Sequence, residues 1–246
     1  MDLGRITQLA KDDFDAHAKC VYHQDLTGPV NQNHLKIDDI GAGDLIFVNS
    51  NVNGSNPQHS YTKDGLLLSV DRPVPAGNMG SWGAANVQNV QLPAAFLLVA
   101  VFERPSRVPL NAQYVEGVYA PSLLMNTASA LMGVTCQFRP QGLRLNLPGT
   151  NLNLNRPPID PALEARIVEA QHPSDFCLAL KLDRSVTPVG GKAWLFVGNT
   201  EADSVAFNFT NLQASTAISD LRAGIGTANG INYRASVSVL RFQVWA

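Results

Sequence analysis

Residues 94–103 read AAFLLVAVFE, apolar from Ala94 to Phe102. A strand with one wet face alternates apolar and polar residues. This run does not alternate, and it reads as a strand covered on both faces. Extended back to Leu92 it is the longest apolar run in the chain. It is still far short of the ~20 residues that cross a bilayer as a helix.

Strand patterns flank it on both sides. On the N-terminal side are 44–50 (DLIFVNS) and 65–70 (GLLLSV), the latter stopped by Pro73 and Pro75. On the C-terminal side, 113–119 and 134–138 are candidates, and Leu143, Leu145 and Leu147 alternate with Arg144 and Asn146. Further strands are expected at 177–183, 193–197, 204–209 and 235–245. In the last of these, Val237 and Val239 share one parity, while Leu240, Phe242 and Val244 take the other. A parity switch inside one strand points to a β-bulge or a change of covering layer.

Helical spacing is rarer. Leu3, Ile6, Ala10, Phe14 and His17 form an apolar stripe, which predicts an amphipathic helix over 3–19. Asp160-Pro161 supplies a cap and an N1 proline for a helix carrying Leu163, Ile167 and Ala170. Segments 123–132 and 212–222 are ambiguous between helix and strand. Short strands separated by Gly, Pro and Asn turns give the expected fold class: mainly β, a jelly-roll-like β-sandwich with a few short helices.

An internal echo bears on domain organisation. Residues 66–74 (LLLSVDRPV) resemble 178–186 (LALKLDRSV), and Trp82 and Trp194 follow at the same distance. The expected organisation is a helical segment at 1–20, a sandwich unit at 21–138 and a related unit at 139–246, with one continuous domain as the alternative.

Composition narrows the function classes. The chain has 246 residues, a net charge of −2 and 15% charged residues, against ~25% in typical soluble domains. Lys and Arg are dispersed, so direct nucleic-acid binding is not expected. Residues 1–20 contain no apolar run of the secretory type, and synthesis in the cytoplasm without a signal peptide is expected. Cys20, Cys136 and Cys177 show no CxxC pairing. His17, Cys20 and His23 are metal-capable but lack a fourth partner, and no metal or cofactor is expected.

Three functions from different classes follow. The first is a non-enzymatic structural protein packing into a symmetric homo-oligomer, such as the capsid of a viral or phage particle. Low charge and Asn-rich loops such as 49–53 suit surfaces covered by neighbours. Its partners are copies of itself and other particle proteins, and its assembly element is the stripe Leu3, Ile6, Ala10, Phe14. The alternative is a lectin-like glycan-binding module using Trp82 and Trp194 as sugar platforms. The third is a hydrolase. Residues 42–47 (AGDLIF) followed by His59 resemble papain-like cell-wall peptidases, which place such a strand between a catalytic Cys and a His. The resemblance implies Cys20 as nucleophile and His59 as base. It departs from the family pattern at Cys20, which lies in Ala-Lys-Cys-Val instead of Asp-Cys-Ser-Gly.

Overall fold

The structure is a computed structural model that describes residues 3–28, 36–41, 46–50, 58–72, 82–103, 106–109, 119–127, 131–137, 142–146, 176–209, 217–227 and 233–246. It opens with helix α1 (Leu3–Asp12) and strands β1 (Cys20–Asp25), β2 (Lys36–Asp38), β3 (Ile46–Ser50) and β4 (Gln58–Thr62). Strands β5 (Gly65–Arg72), β6 (Trp82–Gln88), β7 (Ala95–Phe102), β8 (Ser106–Pro109) and β9 (Tyr119–Thr127) follow. Then come β10 (Leu131–Gln137), β11 (Gly142–Asn146), β12 (Phe176–Asp183), β13 (Val189–Val197), β14 (Thr200–Phe209), β15 (Ile218–Thr227) and β16 (Tyr233–Trp245).

Among the described residues all pairings are antiparallel, in two sheets. The larger has 10 strands, with a main path β14-β13-β12-β7-β16-β1-β2 and with β5, β8 and β4 attached along β16 and β5. The smaller has 6 strands, β11-β10-β9-β15-β6-β3. A mainly β sandwich is therefore the fold. Segments 21–138 and 139–246 contribute strands to both sheets. The echoed stretches lie on β5 and β12, in one sheet with β16 and β7 between them, while Trp82 is on β6 of the smaller sheet and Trp194 on β13 of the larger.

The core sits between the sheets. Phe96, Leu98, Ala100 and Phe102 of β7 meet Leu123 and Met125 of β9 and Leu221 and Ala223 of β15 there. The other parity of β7, Leu97, Val99 and Val101, packs on the outer face with Cys177, Ala179, Trp194, Phe196 and Leu240. Ala10 of α1 joins this second cluster, with Leu9 and Phe14 against it. Strand β7 is thus covered on both sides, by a sheet on one and a helix on the other.

Several expectations are corrected. Helix α1 ends at Asp12 instead of continuing to 19, because Asp13 turns its carboxylate to the Trp194 indole N–H (2.8 Å) and Asp15 caps the backbone N–H of His17 (2.8 Å). Residues 123–127 and 131–132 belong to strands β9 and β10, and 218–222 to strand β15. Leu221 and Ala223 of β15 alternate into the core while both neighbours pair with it, which period-2 burial favours over a helix. The expected helix at Asp160 and the strand at 113–118 lie outside the described residues. The described residues contain no helix long and apolar enough to cross a membrane.

Val99 is fully buried on the outer face of β7. Val99→Asp places a carboxylate in the apolar layer under α1, at a cost of several kcal/mol. The variant is expected in the insoluble fraction after expression at a temperature where the parent is soluble. Soluble Val99→Asp protein with parental circular dichroism would contradict this placement.

Candidate functional site

Strand β16 organises a polar surface at the seam where its partners change. Its N-terminal half pairs with β5 and β8, its C-terminal half with β1 and β7. The change of partners coincides with a register shift between Val239 and Arg241 opposite β7. Leu240 is the extra residue. Val237 and Val239 before it and Phe242 and Val244 after it all face the inter-sheet core, while Leu240 joins the outer cluster. The parity switch is thus a bulge, as one extra residue in one strand requires.

A cleft of about 230 Å³ lies over this bulge, lined by Thr27, Lys63, Asp64, Glu103 and Leu240. Except for Leu240, which is the bulge itself, each comes from a strand end that stops at the seam. Thr27 follows β1, Lys63 and Asp64 are the turn between β4 and β5, and Glu103 follows β7. Backbone bonds fix all three to β16 or to each other: Leu26 N–H to Leu240 O (2.9 Å), Glu103 N–H to Ser238 O (2.9 Å) and Gly28 N–H to Lys63 O (2.9 Å). The turn is held from within, with Asp64 N–H donating to the Thr62 hydroxyl (3.2 Å) and that hydroxyl donating to Gly65 O (3.0 Å). Gly65 has φ +122°, and a Cβ there would stand 2.7 Å from Val239 O. Only glycine lets this turn approach the bulge so closely.

Thr27 is oriented by Asp25. Its backbone N–H and its hydroxyl both donate to Asp25 Oδ1, at 2.9 and 2.6 Å. The hydroxyl proton is thereby used, and its lone pairs remain as acceptors. Asp25 Oδ2 in turn takes a hydrogen bond from Arg241 at 3.3 Å. Burial works against the Asp25 charge, but the Thr27 bonds and the Arg241 guanidinium together hold its carboxyl below its ordinary range. Beside it, burial and then Arg241 hold His23 below its ordinary value, so the ring is neutral at pH 7. Gln243 Nε2, 2.6 Å from His23 Nδ1, donates to it.

The residues singled out from sequence fare differently. Cys20 pairs with Trp245 and His59 lies across from Leu68, itself opposite Val237. Val237 and Trp245 are roughly 26 Å apart along β16 at ~3.3 Å per residue. The proposed Cys20/His59 dyad is therefore not assembled. Burial pushes the Cys20 thiol up to about 11, and its S–H donates to Tyr22 O at 3.1 Å. His17 is exposed and His23 buried, and the described residues contain no group of three or more His, Cys, Asp or Glu placed to hold a metal ion. Trp194 is no sugar platform: it is fully buried and its indole holds Asp13. The side chains of Trp82, Leu3 and Ile6 lie outside the described residues. Ala10 and Phe14, expected to bind a neighbouring copy, pack on this chain's own sheet.

No protein-family model and no curated protein matches the chain. Solved structures do. The sandwich is similar to an endo-1,3-beta-glucanase from Streptomyces sioyaensis, with TM-score 0.54 and 13% identity over 94% of this chain and 97% of that one. It is similar to arcelin-5, a lectin-like defense protein from Phaseolus vulgaris, with TM-score 0.47 and 10% identity over 94% and 98%. A third likeness is to lectin UEA-II complexed with galactose, with TM-score 0.44 and 10% identity over 94% and 99%. The glucanase likeness establishes the shared sandwich fold. The reading as a capsid or virion protein is corrected: the fold is the sandwich shared with this glucanase. The physical reason agrees: Ala10 and Phe14, two of the residues assigned to a neighbouring subunit, are covered by this chain's own sheet.

Two outcomes follow. At pH 8 the Cys20 thiol should be alkylated roughly a hundredfold more slowly than an unburied thiol, judged by mass mapping of its peptide against a denatured control. Rapid native labelling would show an accessible thiolate. For Asp25, a folded pKa below the unfolded value of ~3.9 gives stability that is present above pH 4 and lost as pH falls through the lowered folded value. Asp25→Asn should lower the melting temperature at pH 7 and flatten its decline below pH 4. A melting curve with parental acid dependence would remove Asp25 from that role.

Proposed function

We propose that this protein is a non-catalytic glycan-binding β-sandwich module, with the cleft over Leu240 as its sugar site. The observation that carries the reading is the chemistry of that cleft. Asp64 and Glu103 accept hydrogen bonds from sugar hydroxyls, and such charge-assisted bonds are roughly twice as strong as neutral ones. Lys63 donates to hydroxyl and ring oxygens, and Thr27 accepts. Leu240 supplies an apolar floor for C–H groups. A small concave site with a few convergent polar groups over an apolar base is the usual form of a small-molecule site. Strand ends tied to β16 hold the backbone of these residues in place before a ligand arrives, which reduces the ordering cost of binding.

The fold is compatible with this use, since the Streptomyces sioyaensis protein of the same sandwich fold is a glucanase and so acts on a sugar polymer. Separation of Cys20 from His59 favours binding over the thiol-hydrolase reading.

The test is a solution-binding panel of neutral sugars that includes β-1,3-glucan oligosaccharides and galactosides. Asp64→Asn and Glu103→Gln are each expected to weaken binding about tenfold, ~1.4 kcal/mol, without changing the melting temperature by more than a few degrees. Silence of the parent protein across the panel would refute the reading. Release of reducing ends from β-1,3-glucan by the parent protein would replace it with a hydrolase.

A further inference from the structure

The cleft over Leu240 accepts hydrogen bonds far better than it donates them. Thr27 gives its hydroxyl proton to Asp25 Oδ1 at 2.6 Å, so toward a ligand its oxygen can only accept. That direction is fixed, because the Thr27 bonds and Arg241 hold Asp25 as a carboxylate with no proton to return. Asp64 and Glu103 line the cleft as carboxylates, which also only accept. Lys63 is the single donor side chain of the lining.

The charges are equally one-sided. Two carboxylates stand against one ammonium. Among the described residues neither Asp64 nor Glu103 has an ion-pair partner, Lys63 included. A neutral sugar meets this lining with hydroxyls, each bringing one proton. An ammonium brings three protons and a positive charge, with no lone pair to place. It answers the excess of acceptors and the excess of negative charge together. An N-acetyl group does the reverse: it is neutral, brings one N–H and adds a carbonyl acceptor that only Lys63 can serve.

The glycan-binding reading leaves open which class of sugar the cleft prefers. We propose that the cleft selects a hexosamine with a free amine, bound as its ammonium, over the neutral and N-acetylated forms of the same sugar. This rests on the glycan-binding reading of the cleft. The nitrogen of a hexosamine is bonded directly to a ring carbon, so a ring lying on Leu240 carries the ammonium to the walls, where Asp64, Glu103 and Thr27 accept from it. The volume of about 230 Å³ suits one such ring. Lys63 opposes the ammonium, and its own donors serve the hydroxyl and ring oxygens elsewhere on the sugar. A lysine side chain of a protein partner offers the same ammonium but fits less well. It loses rotamer freedom on binding, whereas a pyranose brings its amine and hydroxyls already arranged. Acidic sugars are disfavoured, since like charges raise the cost of approach.

The experiment is titration calorimetry on the full chain at low salt and pH 6, where the sugar amine carries its proton. The probes are glucose, glucosamine and N-acetylglucosamine, the matching galactose series, and methylammonium. The parent protein should bind the better hexosamine about fivefold more tightly than its neutral counterpart, the upper scale of one exposed ion pair. The N-acetylated form should bind no more tightly than the neutral one. Raising salt to about 0.15 M should reduce the preference and leave neutral-sugar binding unchanged. In the double variant Asp64→Asn, Glu103→Gln the ratio should fall to about one, and Lys63→Gln, which removes the opposing cation, should raise it. Circular dichroism confirms that each variant is folded. Equal binding of hexosamine and neutral sugar by the parent would overturn the selectivity while leaving the cleft as a sugar site. A preference that survives in the double variant would do the same. Methylammonium binding as tightly as the hexosamine would reduce the contact to a bare cation and overturn the sugar class. Absence of binding by every sugar would overturn both readings.

Discussion

At Leu240 strand β16 carries one residue more than β7 opposite it. That single extra residue decides what lies on each side of the larger sheet. Side chains alternate with period 2, so without the bulge every residue after Val239 would change faces. Phe242 and Val244 would leave the inter-sheet core, and Arg241, Gln243 and Trp245 would enter it. The bulge keeps the core continuous from Val237 to Val244 while the strand changes partners. β5 and β8 flank the first half and β1 and β7 the second, so four strand ends converge on one point. The cleft is the outcome of that convergence. Strand ends leave polar turns, and the turns have nowhere to pack except over Leu240.

The covered outer face of the larger sheet explains why the chain carries so little charge. An ordinary two-layer sandwich leaves the outer face of each sheet wet, and that face takes polar residues. Here the outer face of β7, β12 and β13 is a second apolar layer under α1. A helix of 10 residues is marginal alone, so its order comes from the sheet. Asp13 to Trp194 and Phe14 under Lys181 fasten its far end, and reciprocal backbone bonds between Lys19 and Ala246 (2.7 and 3.0 Å) tie the following segment to the end of β16. Lys63, Asp64 and Glu103 are found instead at the turns and strand ends of the seam.

Much of this frame was legible in the residues. AAFLLVAVFE announced a strand with two dry faces, and the change of parity after Val239 announced the bulge. Both are local signals, written in consecutive residues. The partner of α1 was not legible, because an apolar stripe says that something covers it and not what. Asp13 meeting Trp194 joins positions 181 apart, and no period connects them. The cleft was hidden for the same reason. Thr27, Lys63, Asp64 and Glu103 are unremarkable polar residues in three separate turn or strand-end positions, and only the topology of β16 collects them. One local sign was present: Asp64-Gly65 between two strand-like runs is a hairpin signal, and it marks the turn that brings Lys63 and Asp64 to the bulge. Strand β1 escaped notice because Tyr22 alone of its residues faces the core as a large apolar group, while its other buried residue, His23, is satisfied by Gln243.

Placing a ligand site at a seam instead of on a sheet face has a mechanical consequence. Residues on a strand are held by two neighbours, and moving one costs the ladder on both sides. Residues at the seam hang from single backbone bonds: Thr27 next to the Leu26–Leu240 bond, Glu103 on Ser238, Lys63 on Gly28. Thr27 is held further by its two bonds to Asp25, whereas Lys63, Asp64 and Glu103 have freedom to adjust by a side-chain rotation while their Cα atoms stay fixed by the fold. Gly65 limits the movement of the turn from below, since its approach to Val239 O leaves no space for the hairpin to settle further. The floor is therefore rigid and the walls adjustable. A floor of that kind fixes where a sugar ring sits, and walls of that kind let the hydrogen bonds find hydroxyls whose positions differ from one sugar to the next.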